Sequence, residues 1–326
     1  MKRHISLLAV GLLFAASIVA TIQPTNVKAQ NSSTGFLVSP VRVEMSLDPG
    51  KSETTTLSVE NVTGGTVTAK PIVNDFEPAQ DESGQPKIIL DENASAGSQS
   101  FKTLVGNLPS VTLGPKEKKD IPIKISVPGN ASAGGYYGAI RFISEADAGD
   151  KNVALSASVG TIFLIRVSGN LTEELSLVEF TAAKNGSTGR FFMNAGDMSV
   201  VTRLKNTGNI HVKPFGRVQI SDRSGKVVVD YEFNSTEPRA NVLPDSTRKF
   251  VDPLKSQKWI GKYTMTVNLG YGTGGNLITA KNTFWVVPAW VVVAFVALIA
   301  LLIVGGYLLY RRISSGNKHK VKSVRR

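Results

Sequence analysis

Short runs in which apolar and polar residues alternate fill the middle of the chain. A period of two places every second side chain on the same face of a strand, so these runs predict strands that bury one face. In the first half the runs end at turn residues such as Asp48-Pro49-Gly50. The alternating positions are Val41, Val43, Met45 and Leu47, then Ile121, Ile123, Ile125 and Val127, then Val159, Thr161, Phe163, Ile165 and Val167.

The same pattern restarts in the second half and predicts a second set of strands. Val227, Val229, Tyr231 and Phe233 follow a Gly-containing turn, which is typical of a hairpin. No segment in this region shows a convincing apolar stripe with a period of 3.6 residues. We therefore predict an all-β fold of two tandem Ig-like β-sandwich domains, at residues 30–170 and 171–283. The polar region 77–100 is interpreted as a long loop or insertion.

A long apolar segment near the C-terminus predicts one transmembrane helix, at residues 284–310. No charged side chain occurs between residues 282 and 310, and residues 289–310 alone would span roughly 33 Å as a helix. The basic tail at 311–326 predicts a cytoplasmic C-terminus. The residues predicted to lie at the two membrane interfaces are Trp285, Trp290, Tyr307, Tyr310, Arg311 and Arg312.

The first 29 residues have the pattern of a signal peptide. Lys2 and Arg3 precede an apolar stretch, and Val27 and Ala29 supply the small residues of a cleavage site. We predict cleavage between Ala29 and Gln30, with an uncleaved first membrane helix as the alternative. Both interpretations place the following residues outside the cell. After cleavage, the protein is expected to cross the cytoplasmic membrane once, with its new N-terminus outside.

The net charge of +12 suggests binding to nucleic acid, but its distribution argues against this. Ten of the 37 basic residues lie in the predicted signal peptide and tail, which leaves 27 against 25 acidic residues. The ectodomain is therefore almost neutral, and no nucleic-acid partner is expected. The absence of cysteine from an exported chain favours a bacterial origin. Seven Asn-x-Ser/Thr triplets, the first at Asn31, argue in the other direction.

The sequence offers little for catalysis. His211 is the only histidine of the ectodomain, and its neighbours Ile210 and Val212 favour a place in a strand. No motif for a nucleophile, a metal or a phosphate occurs, so we predict no catalytic residue, no metal and no cofactor. A hydrolase that uses carboxylates alone is a remote alternative. The densest acidic residues lack calcium-ligand spacing and are interpreted as solvated loop charges; they are Asp75, Glu77, Asp81 and Glu82.

Several motifs occur in the order found in one family of Gram-positive surface proteins. The motif SPVRV at 39–43 resembles the opening of many bacterial Ig-like domains. The chain resembles the WxL-interacting proteins in the motifs GGYYGAIRF at 134–142, KNTGNIHV at 205–212 and FWVVP at 284–288. This resemblance covers most of the ectodomain. It implies a first domain that binds peptidoglycan, a second domain that binds partner or host proteins, and a C-terminal membrane anchor.

The function expected from these observations is that of a non-enzymatic, membrane-anchored surface protein that binds peptidoglycan or other surface proteins. The alternative is a structural spacer or assembly scaffold that has no affinity for the wall. Tyr136 and Tyr137 are candidate ligand contacts, because exposed tyrosines stack on sugar rings, although one of two neighbours on a strand should be buried. Gly134, Gly135 and Gly138 are better explained by backbone conformation or close approach.

Overall fold

The structure is a computed structural model that describes residues 35–91, 93–144, 158–255 and 259–318. The predicted signal peptide, with its cleavage site at Ala29 and Gln30, lies outside the described residues. Residues 319–326, the second half of the predicted cytoplasmic tail, also lie outside the described residues. The strands fall into two sandwiches, which we call the N-terminal and the C-terminal sandwich.

Two facing sheets make up the N-terminal sandwich. Its strands are β1 (Phe36–Ser39), β2 (Arg42–Leu47), β3 (Ser52–Asn61), β4 (Val67–Pro78), β5 (Pro86–Ile88), β6 (Val111–Leu113), β7 (Lys118–Ser126), β8 (Gly134–Ser144) and β9 (Val159–Val167). One sheet has the order β1-β3-β7, and the other has the order β2-β9-β8-β4-β5 with β6 paired to β4. Strand β2 runs parallel to β9, whereas the other pairs are antiparallel.

The core of the N-terminal sandwich confirms the alternation seen in the sequence. Ile123 and Ile125 of β7 are fully buried, and so are Phe163 and Ile165 of β9. Leu164, on the opposite face of β9, is also buried, as expected for a strand that is covered on both sides. Its second face lies against the C-terminal sandwich.

The C-terminal sandwich is built in the same way. Its strands are β10 (Leu175–Lys184), β11 (Ser187–Gly189), β12 (Phe191–Met193), β13 (Met198–Asn206), β14 (Phe215–Ser221), β15 (Val227–Phe233), β16 (Thr247–Pro253), β17 (Gly261–Tyr271) and β18 (Asn276–Val287). The sheets have the orders β11-β10-β13-β16 and β12-β18-β17-β14-β15. The aromatic rings of Trp259, Tyr263 and Phe284 contact one another in the core between them.

Helix α1 (Ala289–Lys318) follows the last strand and begins five residues later than predicted. Residues 284–287, which we assigned to the membrane helix, belong to β18 and pair with β17. The reason is that Phe284 and Val286 are fully buried in the sandwich core, so this apolar run is half-buried strand and not lipid-facing helix. Residues 289–314 of α1 are long and apolar enough to cross a membrane.

The polar region 77–100 contains more structure than a loop. Strand β4 continues to Pro78 and β5 pairs with it, and two short 3-10 helices follow at Gly97–Gln99 and Phe101–Leu104. The prediction that Asp75 is a solvated loop charge is wrong, because its side chain is fully buried. Its carboxylate accepts hydrogen bonds from this region, and the backbone of the region therefore folds back onto β4.

Candidate binding cleft between the two sandwiches

The two sandwiches meet through a small apolar cluster. Phe76 and Leu164 of the N-terminal sandwich pack with Leu243 of the C-terminal sandwich, and all three are buried. Burial of side chains of this size contributes roughly 1.5 to 3 kcal/mol each, so the contact holds the two sandwiches together.

Tyr137 and His211 form the polar centre of the contact. The main-chain N–H of His211 donates to the Tyr137 hydroxyl at 2.8 Å, and the same hydroxyl lies 3.1 Å from Nδ1 of the imidazole. The main-chain N–H of Gly135 donates to the carbonyl of Asn209 at 3.0 Å. Burial raises the pKa of Tyr137, so the phenol stays protonated. Both side chains are thus used to join the sandwiches.

Ion pairs surround this centre. Glu82 accepts from Nε of Arg203 at 2.8 Å, and this hydrogen bond lowers the pKa of the Glu82 carboxyl. Glu44 of β2 pairs with Lys213 of the other sandwich. The Glu82 carbonyl also accepts the main-chain N–H of Lys249 at 2.8 Å. Contacts of this kind fix the orientation of two surfaces more than they add to affinity.

A cleft of about 450 Å³ opens beside these contacts. Its charged lining consists of Arg166, Lys213 and Arg239 together with Glu44 and Glu173. Its apolar lining consists of Met45, Leu164, Val212 and Phe215. The guanidinium of Arg239 lies 4.9 Å above the ring of Phe215, so this wall presents both an aromatic surface and a positive charge.

One wall of the cleft is the outer edge of β2. The carbonyls of Val41 and Leu47 accept hydrogen bonds from β9. Because main-chain groups alternate in direction along a strand, those of Arg42, Glu44 and Ser46 point away from β9. Among the described residues no strand pairs with this side. The cleft therefore contains a row of main-chain donors and acceptors available for a further strand.

His211 gives the contact a pH dependence. Burial lowers the pKa of its imidazole to about 4, against an ordinary value of 6.5 that it regains on unfolding. The unfolded chain then binds more protons between these values, so the free energy of unfolding should fall as the pH drops from 6.5 to 4. Because the imidazole is only partly shielded from water, we expect a loss of about 2 kcal/mol.

The measurement is denaturant unfolding of the protein and of His211→Asn at several pH values. The carboxylates titrate in both proteins, so the difference between the two curves isolates the imidazole. A difference that does not change between pH 7 and pH 4 would contradict the prediction.

The other predicted site residues do not converge on this cleft. Tyr136 is buried, and its hydroxyl donates to the carbonyl of Ser132 at 3.1 Å, so neither tyrosine offers an open face for a sugar ring. Trp285 lies on β18, whereas the remaining predicted interface residues lie on α1, where Trp290, Tyr307 and Tyr310 are largely exposed. Arg311 and Arg312 follow on the same helix.

The acidic candidates are separated from one another. Glu77 pairs with Lys87 at 2.8 Å, Asp81 accepts the main-chain N–H of Ser83 at 3.0 Å, and Glu82 joins the two sandwiches. No group of three or more potential metal ligands occurs among the residues that the structure describes. The sequence analysis did not identify Glu44, Arg166 and Lys213 as cleft residues, because isolated charged residues in alternating strands give no signal.

The glycine prediction agrees with the geometry. A Cβ at Gly138 would lie 2.1 Å from Cδ1 of Phe101, and Gly134 has a φ of +141°. Close approach and backbone conformation are sufficient to explain why these positions are glycine.

Similar solved structures are fimbrial chaperones. The class 5 fimbriae chaperone CfaA has 10% sequence identity and a TM-score of 0.37, and the match covers 76% of this chain and 98% of that chain. The E. coli chaperone DraB has 15% identity and a TM-score of 0.34, with coverages of 77% and 96%. The CupB2 chaperone of Pseudomonas aeruginosa has 13% identity and a TM-score of 0.33, with coverages of 76% and 99%. No protein-family model matches the chain, and neither does any curated protein.

The strands of the structure confirm the all-β sandwich part of the predicted fold class, and the comparisons correct the predicted family. The chain is a mostly-β protein of Ig-like sandwiches followed by one apolar helix. The assignment to the WxL-interacting proteins is wrong, since no family model matches and the similar structures are fimbrial chaperones. The peptidoglycan-binding function that was inferred from this resemblance is therefore also wrong, and the spacer or scaffold alternative has no support either.

Proposed function

We propose that this chain is a non-enzymatic, polypeptide-binding protein that is held at a membrane by α1. Its cleft takes an extended segment of a partner protein, which adds a strand to the open edge of β2. The observation that carries the proposal is this unpaired edge, which forms one wall of a cleft of about 450 Å³.

Strand addition suits the chemistry of this wall. A bound segment would satisfy the outward main-chain groups of Glu44 and Ser46 without regard to its sequence. The mixed lining would then select its side chains, since Met45 and Phe215 offer apolar contacts while Arg239 and Lys213 offer positive charge. Affinity would come mainly from the main chain and specificity from the side chains.

The absence of a free catalytic group among the described residues fits binding better than chemistry. The imidazole of His211 is a neutral group committed to Tyr137, because its lowered pKa leaves it unprotonated at neutral pH. Around it, Glu44 and Glu173 are held in ion pairs with Lys213 and Arg166. These contacts favour a rigid binding surface.

The membrane location rests on α1. Its uncharged part, residues 289–310, would be roughly 33 Å long at about 1.5 Å per residue, which is enough to cross the hydrocarbon core of a bilayer. The basic residues that follow favour a cytoplasmic C-terminus, so the sandwiches would lie on the outer side. The partner is accordingly expected to be an exported or surface protein.

The test is peptide selection followed by hydrogen exchange. Peptides selected from a random displayed library against the full chain in detergent micelles should slow amide exchange in residues 42–47. Ser46→Pro removes one outward main-chain donor at a strand edge, where proline is tolerated. We expect it to weaken the selected peptides about threefold to tenfold, since one hydrogen bond contributes roughly 0.5 to 1.5 kcal/mol.

Two matched controls keep the result interpretable. Ser46→Ala retains the main-chain N–H and should bind as the parent protein does. Phe215→Ala removes an exposed ring from the cleft and should weaken binding. Leu277→Ala removes a still more exposed side chain from the far end of β18 and should leave binding unchanged. Protection confined to other segments, or equal binding by the proline and alanine variants, would overturn the proposal.

A further inference from the structure

The outer face of the five-stranded C-terminal sheet changes character at the end nearest α1. The register places Phe191, Trp285 and Lys262 side by side in one row across β12, β18 and β17. The next row contains Met193 and Val287, and Ile260 adjoins it because Gly261 pairs with Val286. These two rows form an apolar patch, which we define as Phe191, Met193, Ile260 and Trp285.

The patch is exposed although its residues are large and apolar. The exposed fractions are 76% for Phe191, 58% for Met193, 55% for Ile260 and 39% for Trp285. The rings of Phe191 and Trp285 lie nearly parallel with their centroids 6.5 Å apart. Clustered exposure of this kind indicates a surface that contacts something apolar.

The rows that follow the patch on the same face are polar. On β18 the outward residues that precede Trp285 are Thr283, Lys281 and Thr279, and on β17 the outward residues after Lys262 are Thr264 and Thr266. These polar rows separate the patch from Leu277 and Phe215, which are exposed at the far end of the same face. The patch beside the helix is therefore a surface of its own.

The patch is tied directly to the start of α1. Asn194 follows β12, and its side-chain Oδ1 accepts the main-chain N–H of Ala289, the first residue of the helix, at 2.8 Å. The main-chain N–H of Asn194 also donates to the carbonyl of Val287 at 3.1 Å. Ala289 is the fourth residue after Trp285, so their Cα atoms are at most about 14 Å apart.

The length of the helix places its first residues at the headgroup layer. The uncharged part of α1, residues 289–310, is roughly 33 Å long, whereas the hydrocarbon core measures about 30 Å. Trp290 lies in the first turn, and tryptophan is enriched at the level of the headgroups. A patch so close to this turn lies at the same level.

Basic residues flank the patch and complement an anionic membrane. Arg190 immediately precedes Phe191, and its carbonyl accepts the main-chain N–H of Trp285 at 2.7 Å. Lys262 lies beside Trp285, and Lys184 donates from Nζ to the carbonyl of Met193. Positive charge around an apolar patch is typical of surfaces that bind the interface of a bilayer.

We propose that this patch is seated in the headgroup layer of the bilayer that α1 crosses. The inference rests on the proposed membrane anchoring and adds that the C-terminal sandwich lies against the lipid. The sandwich therefore does not swing freely about Pro288, and the orientation of the cleft relative to the membrane is fixed.

The absence of cysteine from the chain makes site-specific labelling direct. Met193→Cys, Leu277→Cys and Leu298→Cys each take one environment-sensitive fluorophore in the full chain, reconstituted in vesicles of equimolar phosphatidylcholine and phosphatidylglycerol. A nitroxide near the headgroup end of the acyl chain then quenches shallow labels in contact with lipid, and a nitroxide near the terminal methyl group quenches the label at 298. We expect the label at 193 to be quenched severalfold more strongly than the label at 277, which is exposed at the opposite end of β18.

The label at 298, in the middle of α1, separates the two hypotheses. Quenching at 298 without quenching at 193 overturns the patch proposal and leaves the anchor intact. No quenching at 298 overturns both. A label at 193 that is shielded from nitroxide, together with disulfide formation between copies of unlabelled Met193→Cys, would show that a second copy covers the patch, and this also overturns the proposal.

Discussion

We expect Asp75→Ala to lower the free energy of unfolding by about 3 to 5 kcal/mol, although the residue lies outside the cleft. Its carboxylate is fully buried and accepts three hydrogen bonds. The main-chain N–H of Ala96 donates at 2.8 Å, the Ser100 hydroxyl at 2.6 Å and the main-chain N–H of Lys102 at 3.1 Å. Alanine would remove the acceptor of all three bonds, and the Ser100 hydroxyl is itself buried.

These bonds hold the two 3-10 helices against the N-terminal sandwich. The second helix, Phe101–Leu104, supplies two core side chains, Phe101 and Leu104, which are almost fully buried. Loss of the carboxylate therefore weakens a part of the core as well as a loop. The cost should exceed that of one lost hydrogen bond.

Denaturant unfolding measures this effect, and two variants control it. Asp81→Ala removes an exposed carboxylate from the same connection and should leave the unfolding midpoint unchanged. Asp75→Asn keeps the shape but replaces one acceptor oxygen with a donor, so it should fall between the parent and Asp75→Ala. An unfolding midpoint for Asp75→Ala equal to that of Asp81→Ala would refute the assignment of Asp75 as an anchor.

The strands that bury only one face could be predicted from the alternation of apolar and polar residues. Ile123 and Ile125 alternate with exposed residues on β7, so their burial could be inferred from the sequence. Burial of β9 on both faces was also predictable, because Ile162 and Leu164 are apolar between the inward positions. The sequence does not reveal that the C-terminal sandwich covers the second face of β9, because Leu243, which packs on Leu164, lies far along the chain.

The start of the helix could not be predicted from the same kind of pattern. Residues 284–287 are apolar throughout, and an apolar run beside a membrane segment fits a strand or a helix equally well. The pairing of Phe284 with Tyr263 decides the matter, and it depends on the register of two strands. Local hydrophobicity contains no information about that register.

The cleft itself was beyond sequence reasoning. Tyr137 and His211 are 74 residues apart, and Glu44 and Lys213 are 169 apart. Only the packing of the two sandwiches brings such pairs together. The family resemblance misled for a related reason, because proline-glycine turns and glycine-rich hairpins recur across Ig-like folds and report the fold more than the ligand.

Gly138→Ala should lower the free energy of unfolding by about 3 kcal/mol, the second large effect that we expect. The added methyl group would lie 2.1 Å from Cδ1 of Phe101 and 2.6 Å from its Cβ. Phe101 has no room to retreat, because it is fully buried and stacks on Phe163 with ring centroids 5.1 Å apart. Close-packed interiors accommodate such an overlap only by shifting backbone or distorting rotamers.

Gly129→Ala is the control for the effect of the glycine-to-alanine change on backbone entropy. A Cβ at Gly129 would meet nothing within 4 Å, so Gly129→Ala should be neutral or slightly stabilising. The decisive measurement is a double-mutant cycle with Phe101→Ala, which removes Cγ and the ring and so relieves the two closest overlaps. We expect the free energy of unfolding to fall less in the double variant than the two single losses added together.

Gly138 and Asp75 face each other in the pairing of β8 with β4, so both substitutions act on the same contact. Asp75 holds the backbone of the short helices, and Gly138 leaves the space into which Phe101 inserts. Loss of the carboxylate should therefore reduce the cost of Gly138→Ala, because Phe101 is then less firmly held. Strict additivity of Asp75→Ala and Gly138→Ala would contradict this coupling, since neighbouring sites that share a partner are expected to interact.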